Sequence, residues 1–311
     1  MVLSNVHFPT DINLLWDCVR KVLDSIASIV ADSRISGFRE HSSIRKKIHN
    51  AYRQTSEIHR KKGTNYKVRL KTNCTNYIDL ADSLVAKLRA AQPYLMAYVA
   101  SDIRHQIKVE ALYHYWKLLN KHIDLVRRRI INDEQIPHVD KMFSIFETYT
   151  EWLYKGKAGG LVELGLNVNV ATCKYHFILH HQVMVKQVDV NMTLPTAKAI
   201  DSKFSQSAGY HLSQISFDTG YYSKLNKAAV EKIFDTVILP KKGKRNAVEK
   251  QIESEADFKA GRRKHSAIES NINSLEHHGL DKCPDKSLAH FKRYVALGVL
   301  SYNLTLLGAL L

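Results

Sequence analysis

The spacing of apolar residues changes once along this chain, and that change constrains its architecture more than any other feature. In the first part the spacing is helical. Ile12, Leu15, Trp16, Val19, Val22, Leu23 and Ile26 recur three or four apart behind Pro9, Thr10 and Asp11, a polar start that suits the open amides of a helix N-terminus. A long helical pair is expected from about residue 77 to 129, with Leu80, Leu84 and Leu88, then Leu112, Trp116, Leu119 and Ile123, as core stripes. Pro137, Gly156, Gly159 and Gly160 then mark loops and a domain boundary. Beyond them Val162, Leu164, Leu166, Val168 and Val170 alternate in strand fashion, and 177–185 forms a second β-rich run after a turn around Lys174.

The hairpin so predicted is followed by a helix near 194–204, a strand at 214–217, a helix near 224–234 and a strand at 236–239. A charged insertion at about 241–257 precedes two helices, roughly 258–277 and 288–307. This order is α/β. Two regions are expected: a helical, basic one at 1–135 and an α/β one at 136–311.

Lys and Arg outnumber Asp and Glu by 46 to 30, a formal charge of +16, which points to a polyanionic partner, with nucleic acid first among candidates. The excess is concentrated. Between 34 and 71 there are twelve basic residues, including Arg45, Lys46, Lys47, Arg60, Lys61 and Lys62, against two acids, Glu40 and Glu57. A solvated helical face is the ordinary account of such a run. Here the acids are too few to pair within the helix and like charges four apart repel, so an external anion would relieve the repulsion.

The four cysteines, Cys18, Cys74, Cys173 and Cys283, lie far apart and form no CxxC pair, which speaks against a zinc site or a disulfide framework. No basic-then-apolar leader and no apolar run of about 18 residues is present, so a soluble, cytoplasmic setting without a membrane partner is expected. The apolar end, 295–311, is interrupted by Ser301, Tyr302, Asn303 and Thr305 and suits a packed helix.

Two acids stand where chemistry could be done. Asp218 ends an apolar strand, and strand carboxyl ends are where open α/β sheets bind ligands. It could equally cap the following turn. Glu269 lies within a helix, with His265 and Arg262 four and seven residues earlier on the same face. Those neighbours could simply pair with it, or hold a phosphate beside a metal-bound carboxylate.

The stretches FDTGYYS at 217–223, LPKKGK at 239–244, HSAIESNINSLE at 265–276 and HGLDKC at 278–283 resemble consecutive blocks of DDE-superfamily insertion-sequence transposases of bacteria. TDINLLWD at 10–17, FSIFE at 143–147 with EW at 151–152 and KGKAG at 155–159, and FKRYVA at 291–296 followed by Asn303 and Leu304 are similar to further blocks, so the likeness covers most of the chain. It implies an RNase H-like catalytic domain, a mixed sheet flanked by helices, behind an all-helical N-terminal region.

The resemblance also implies a function: binding of element terminal repeats and target double-stranded DNA, and metal-dependent strand cleavage and strand transfer, in a homo-oligomer on DNA associated with the nucleoid. Three carboxylates would hold two divalent cations, Mg2+ or Mn2+, because hard cations select oxygen and phosphoryl transfer needs charge support at both entering and leaving oxygens. Asp218 and Glu269 fall on the second and third positions. The first falls on Cys173, whose soft thiol is a poor magnesium ligand, so metal binding is expected to be weakened: either the matching position is off by a turn residue or the enzyme is decayed. Asp189 lies past the second strand and looks a poor replacement. The nine residues before TDINLLWD are fewer than the family often carries, which suggests a missing DNA-recognition segment. Arg45, Lys46, Lys47, Arg60, Lys61, Lys62, Arg262 and His265 are the expected DNA contacts. A catalytically silent DNA-binding remnant is the alternative, and a basic RNA-binding or structural protein a third reading.

Overall fold

The structure is a computed structural model that describes every residue except Asn5, His7, Phe8, Arg34, Ala158, Gly159, Ser207 and Ala208. Arg34, at the start of the basic run, and Ala158 and Gly159 of the KGKAG stretch therefore lie outside the described residues. The chain divides into two compact units, His7–Thr148 and Met1–Val6 with Tyr149–Leu311. Residues 136–148, which composition groups with the α/β region, belong to the first unit, where Ile145 is buried in the helical core.

The first unit is helical: α1 (Asp11–Asp32), α2 (His41–Lys61), α3 (Tyr66–Ser101) and α4 (Ile103–Val126), followed by a π-helical turn, Arg127–Ile131. Thr10 accepts a hydrogen bond from the Asn13 amide at 3.2 Å and starts α1. Its expected stripe is the buried one, with Leu15, Val19, Val22, Leu23 and Ile26 fully enclosed and Ile12 nearly so. α1 packs on α4 and α2, and α3 packs on α2 and α4. The expected helical pair is longer than its apolar pattern suggests, because α3 begins at Tyr66 within basic sequence. Asp102 ends it and caps α4 by accepting from the Arg104 amide at 2.8 Å.

Among the described residues the second unit mixes helices with three small sheets, where the sequence pointed to one mixed sheet. β1 (Val2–Leu3), β2 (Glu151–Lys157) and β3 (Gly160–Leu166) form an antiparallel sheet in the order β1-β3-β2. β2 was hidden by glycines that read as loop. The run 161–172 is two strands, since β4 (Val168–Thr172) leaves the first sheet after Asn167 and pairs antiparallel with β5 (Ile178–Val183). The alternation carries through Leu166 and Val168 without a break, so only the pairing reveals the exchange of partners.

Then follow α5 (Asp189–Asp201), β6 (Gln214–Ser216), α6 (Lys224–Val230) and β7 (Thr236–Ile238), with β6 and β7 parallel. The charged insertion contains α7 (Ala247–Ser254), and the expected helix 258–277 is divided at Ala267 into α8 (Ala256–Ser266) and α9 (Ile268–Leu275). α10 (Leu288–Gly308) buries Phe291, Val295, Val299 and Tyr302 against a core that includes Val2, Leu166 and Ile178. Its Asn303 amide pairs with the backbone of Ile178, accepting from the N–H at 2.9 Å and donating to the carbonyl at 3.0 Å, so a helix side chain completes the start of β5. No helix among the described residues is long and apolar enough to cross a membrane.

Candidate functional site

Phe217 is buried at the carboxyl end of β6 and turns the next residue, Asp218, out to solvent. Asp218 caps a 3-10 turn, Thr219–Tyr221, by accepting from the Thr219 amide at 2.7 Å. The capping role and the position at a strand end, open alternatives in the sequence, both hold.

The carboxylate that meets it is Asp189, the first residue of α5. A Cβ added at Gly220 would stand 2.7 Å from Asp189 Oδ2, so a larger residue there would have to push the carboxylate aside. Partial loss of hydration raises the pKa of Asp189, and the charge of Asp218 raises it further, while Lys242 opposes. The same two acids act on Tyr221, which burial and both carboxylates push up to about 12. Tyr221 donates to Asn169 Oδ1 at 3.0 Å, and buried Asn169 donates to Thr196 Oγ1 at 2.5 Å. Asn169 is thus the β4 side chain that reaches the layer of the carboxylates, through a phenol.

His265 joins the third acid to this group. Its Nδ1 lies 3.1 Å from Ser216 Oγ on β6. Burial lowers its pKa, Asp218 and Glu269 both pull it upward, and Arg262 pushes it down. Asp218 and Glu269 therefore bear on one imidazole although helix α8 ends between His265 and Glu269. Arg262 and Glu269 are exposed.

Cys173, where the first metal position was expected, is half-buried, and its turn touches α9 through His176 Nδ1, 2.9 Å from Asn271 Oδ1. It sits in the turn of the β4–β5 hairpin, where its amide donates to the Phe177 carbonyl at 2.9 Å and its carbonyl accepts from the His176 amide at 2.9 Å. In the same turn the His176 carbonyl accepts from the Tyr302 hydroxyl at 3.3 Å, which also donates to Asn271 Oδ1 at 3.3 Å. The charge of Asp218 bears instead on Asp189, whose place beyond the second strand had made it look a poor replacement. Its signal in the sequence was a lone acid in the first turn of a helix, too common to single out.

The predicted DNA contacts at 45–62 are in the helical unit. Arg45 pairs with Asp24, and Lys61 pairs with Glu57 at 2.6 Å. Lys46, Lys47, Arg60 and Lys62 are exposed, and none of the four forms a salt bridge among the described residues, though Arg60 helps to lower the pKa of Glu57. Lys62 ends α2 in a left-handed conformation, φ 42°.

The donors at the acidic site, Asp189, Asp218 and Glu269, are all hard oxygens, the type that magnesium and manganese select. Mutual repulsion of Asp189 and Asp218 is a force that a divalent cation relieves. Among the described residues no group of three or more His, Cys, Asp or Glu side chains converges closely enough to hold a metal ion as it stands. Compared with protein-family models, curated proteins and solved structures, the chain finds no match.

Proposed function

We propose that this chain is an insertion-sequence transposase of the DDE superfamily, with an RNase H-like catalytic unit behind a helical, DNA-binding region. The observation that carries the reading is the place of His265, four residues before Glu269 on the chain, with its Nδ1 at 3.1 Å from Ser216 Oγ, two residues before Asp218. The charges of both acids pull the pKa of that imidazole upward, and Asp218 raises that of Asp189. The motif blocks quoted above supply the reaction class. In this reading Asp189, Asp218 and Glu269 would hold divalent cations, Mg2+ or Mn2+. When bound, such ions lower the pKa of a coordinated water or hydroxyl and support charge on the phosphate.

The chain's own groups have separable tasks. Gly220 lets the turn approach Asp189, and the Thr219 amide holds Asp218 in place. His265, anchored to Ser216, spaces Asp218 from Glu269 and is held largely neutral by burial. Arg262 supplies positive charge beside the acids for an incoming phosphodiester. Lys46, Lys47, Arg60 and Lys62, with Arg45 and Lys61, contact the DNA backbone, the protein acting as a homo-oligomer in the bacterial cytoplasm.

The test is strand cleavage and transfer on terminal-repeat DNA with Mg2+ or Mn2+, for the wild type, Asp218→Ala, Glu269→Ala and Cys173→Asp. Wild-type activity lost in the two alanine variants supports a working enzyme. DNA binding without cleavage, with activity gained only by Cys173→Asp, establishes the silent remnant instead. Neither DNA binding nor metal dependence in any variant sinks the proposal.

A further inference from the structure

The charged insertion belongs to none of the roles above, yet it builds one wall of an open cleft of about 320 Å³ whose lining includes Pro240, Arg245, Glu253, Lys259, Arg262 and Arg263, with buried Phe258 beneath. The insertion spends its acids on itself. Glu249 accepts from Lys241 Nζ at 2.6 and 2.7 Å and closes a capping box with Asn246. Glu253 accepts from the Lys241 amide at 2.9 Å and from Arg245 Nε at 2.6 Å. No acid of α7 is left to answer the opposite wall.

That wall is α8, and its rotation is fixed. A Cβ on Gly261 would lie 2.6 Å from Ile238 Cγ1 and 3.0 Å from Gln214 Nε2, so the helix lies directly on the β6–β7 sheet at this residue. Lys259 and Arg263 are each two residues from Gly261, hence about 160° away around a helix of 3.6 residues per turn. They point away from the sheet. Lys259, Arg262 and Arg263 have spacings of three and four, are exposed, and have no carboxylate partner among the described residues. Like charges so placed repel. A fold that turns three unneutralised cations toward a cleft where Glu253, the one lining acid among the described residues, is already paired with Arg245 is arranged for an anion.

We propose that the α7–α8 cleft is a phosphate-binding groove that holds the backbone of the DNA strand next to the bond being cut. The commitment to DNA rests on the transposase reading and on Arg262, which lines the cleft one turn before His265, whose Nδ1 lies 3.1 Å from Ser216 Oγ, two residues before Asp218. The ligand chemistry is a phosphodiester oxyanion, bound by guanidinium and ammonium groups.

The experiment measures binding of a short DNA duplex to the full chain across a salt series, with inorganic pyrophosphate as a separate probe. Each phosphate contact contributes roughly 0.9 to the log–log salt slope on duplex DNA, so Lys259→Gln combined with Arg263→Gln lowers the slope by roughly 1.8. Arg263→Lys, which keeps the charge, retains the wild-type slope and separates charge from a structural effect. An unchanged slope in the double variant, while Lys46→Gln with Lys47→Gln lowers it, overturns the groove and leaves the transposase reading standing. Absence of DNA binding by the wild type at every salt concentration overturns both. Pyrophosphate binding without DNA binding overturns the assignment to a nucleic-acid backbone.

Discussion

Asp218 raises the pKa of Asp189 across the turn at Gly220, so two acids that the chain keeps far apart are held where their charges oppose one another. Below the ordinary carboxylate range Asp189 is protonated and its place costs nothing. As pH rises through that range toward the raised pKa of Asp189, the folded state keeps a proton that the unfolded chain releases, and stability is lost. Asp189→Asn is therefore expected to stabilise the second unit at neutral pH while weakening Mn2+ binding at least about tenfold, the exchange of stability for function common at active sites. Thermal unfolding with and without Mn2+ checks both halves; a variant less stable than wild type at neutral pH contradicts the first.

The same coupling is visible in titration. Carboxyl NMR should place the midpoint of Asp189 above the usual range, and Asp218→Asn should move it down. An unmoved midpoint would mean the two charges do not interact.

Gly220→Ala tests the geometry without altering charge. The new methyl would stand 2.7 Å from Asp189 Oδ2 and must displace that carboxylate, a flexible group, so the fold should survive with only a small change in melting temperature. Metal affinity is expected to fall toward that of Asp189→Asn. Wild-type affinity in Gly220→Ala would show that Asp189 takes no part.

In the helical unit, His122 is fully buried and neither ring nitrogen has a hydrogen-bond partner among the described residues. Burial lowers its pKa to about 4. A lowered histidine pKa costs nothing above the unfolded value of about 6.5; as pH falls from there toward 4 the unfolded chain gains a proton that the folded core refuses. Stability should drop by about 3 kcal/mol over that window. Urea unfolding at neutral and mildly acidic pH measures it, and His122→Leu should remove most of the difference. An identical acid loss in His122→Leu would assign it to other groups, His59 among them, whose pKa burial also lowers.

Asn303→Ala removes the amide that brackets Ile178. Two hydrogen bonds of ordinary length are lost at a half-buried position, and a destabilisation of about 1–3 kcal/mol is expected. Hydrogen exchange at Ile178 reports it directly; unchanged protection there would show that α10 does not hold the strand.

Sequence alone determined the helical beginning, the change to strands, and which face of α1 is buried, because amphipathic periodicity is a local property that burial reads out residue by residue. It also singled out Asp218 and Glu269, the first at a strand end and the second in a helix. Tertiary structure decided what local pattern does not encode: that the run through Leu166 and Val168 changes sheets, that β2 pairs despite its glycines, that the turn after Cys173 is held by Tyr302 through the His176 carbonyl, and that Asp189 lies against the turn at Gly220. Each depends on which segments come together, and a side chain's partner across a turn or a sheet edge is set by the packing of the whole unit, not by its neighbours in the chain.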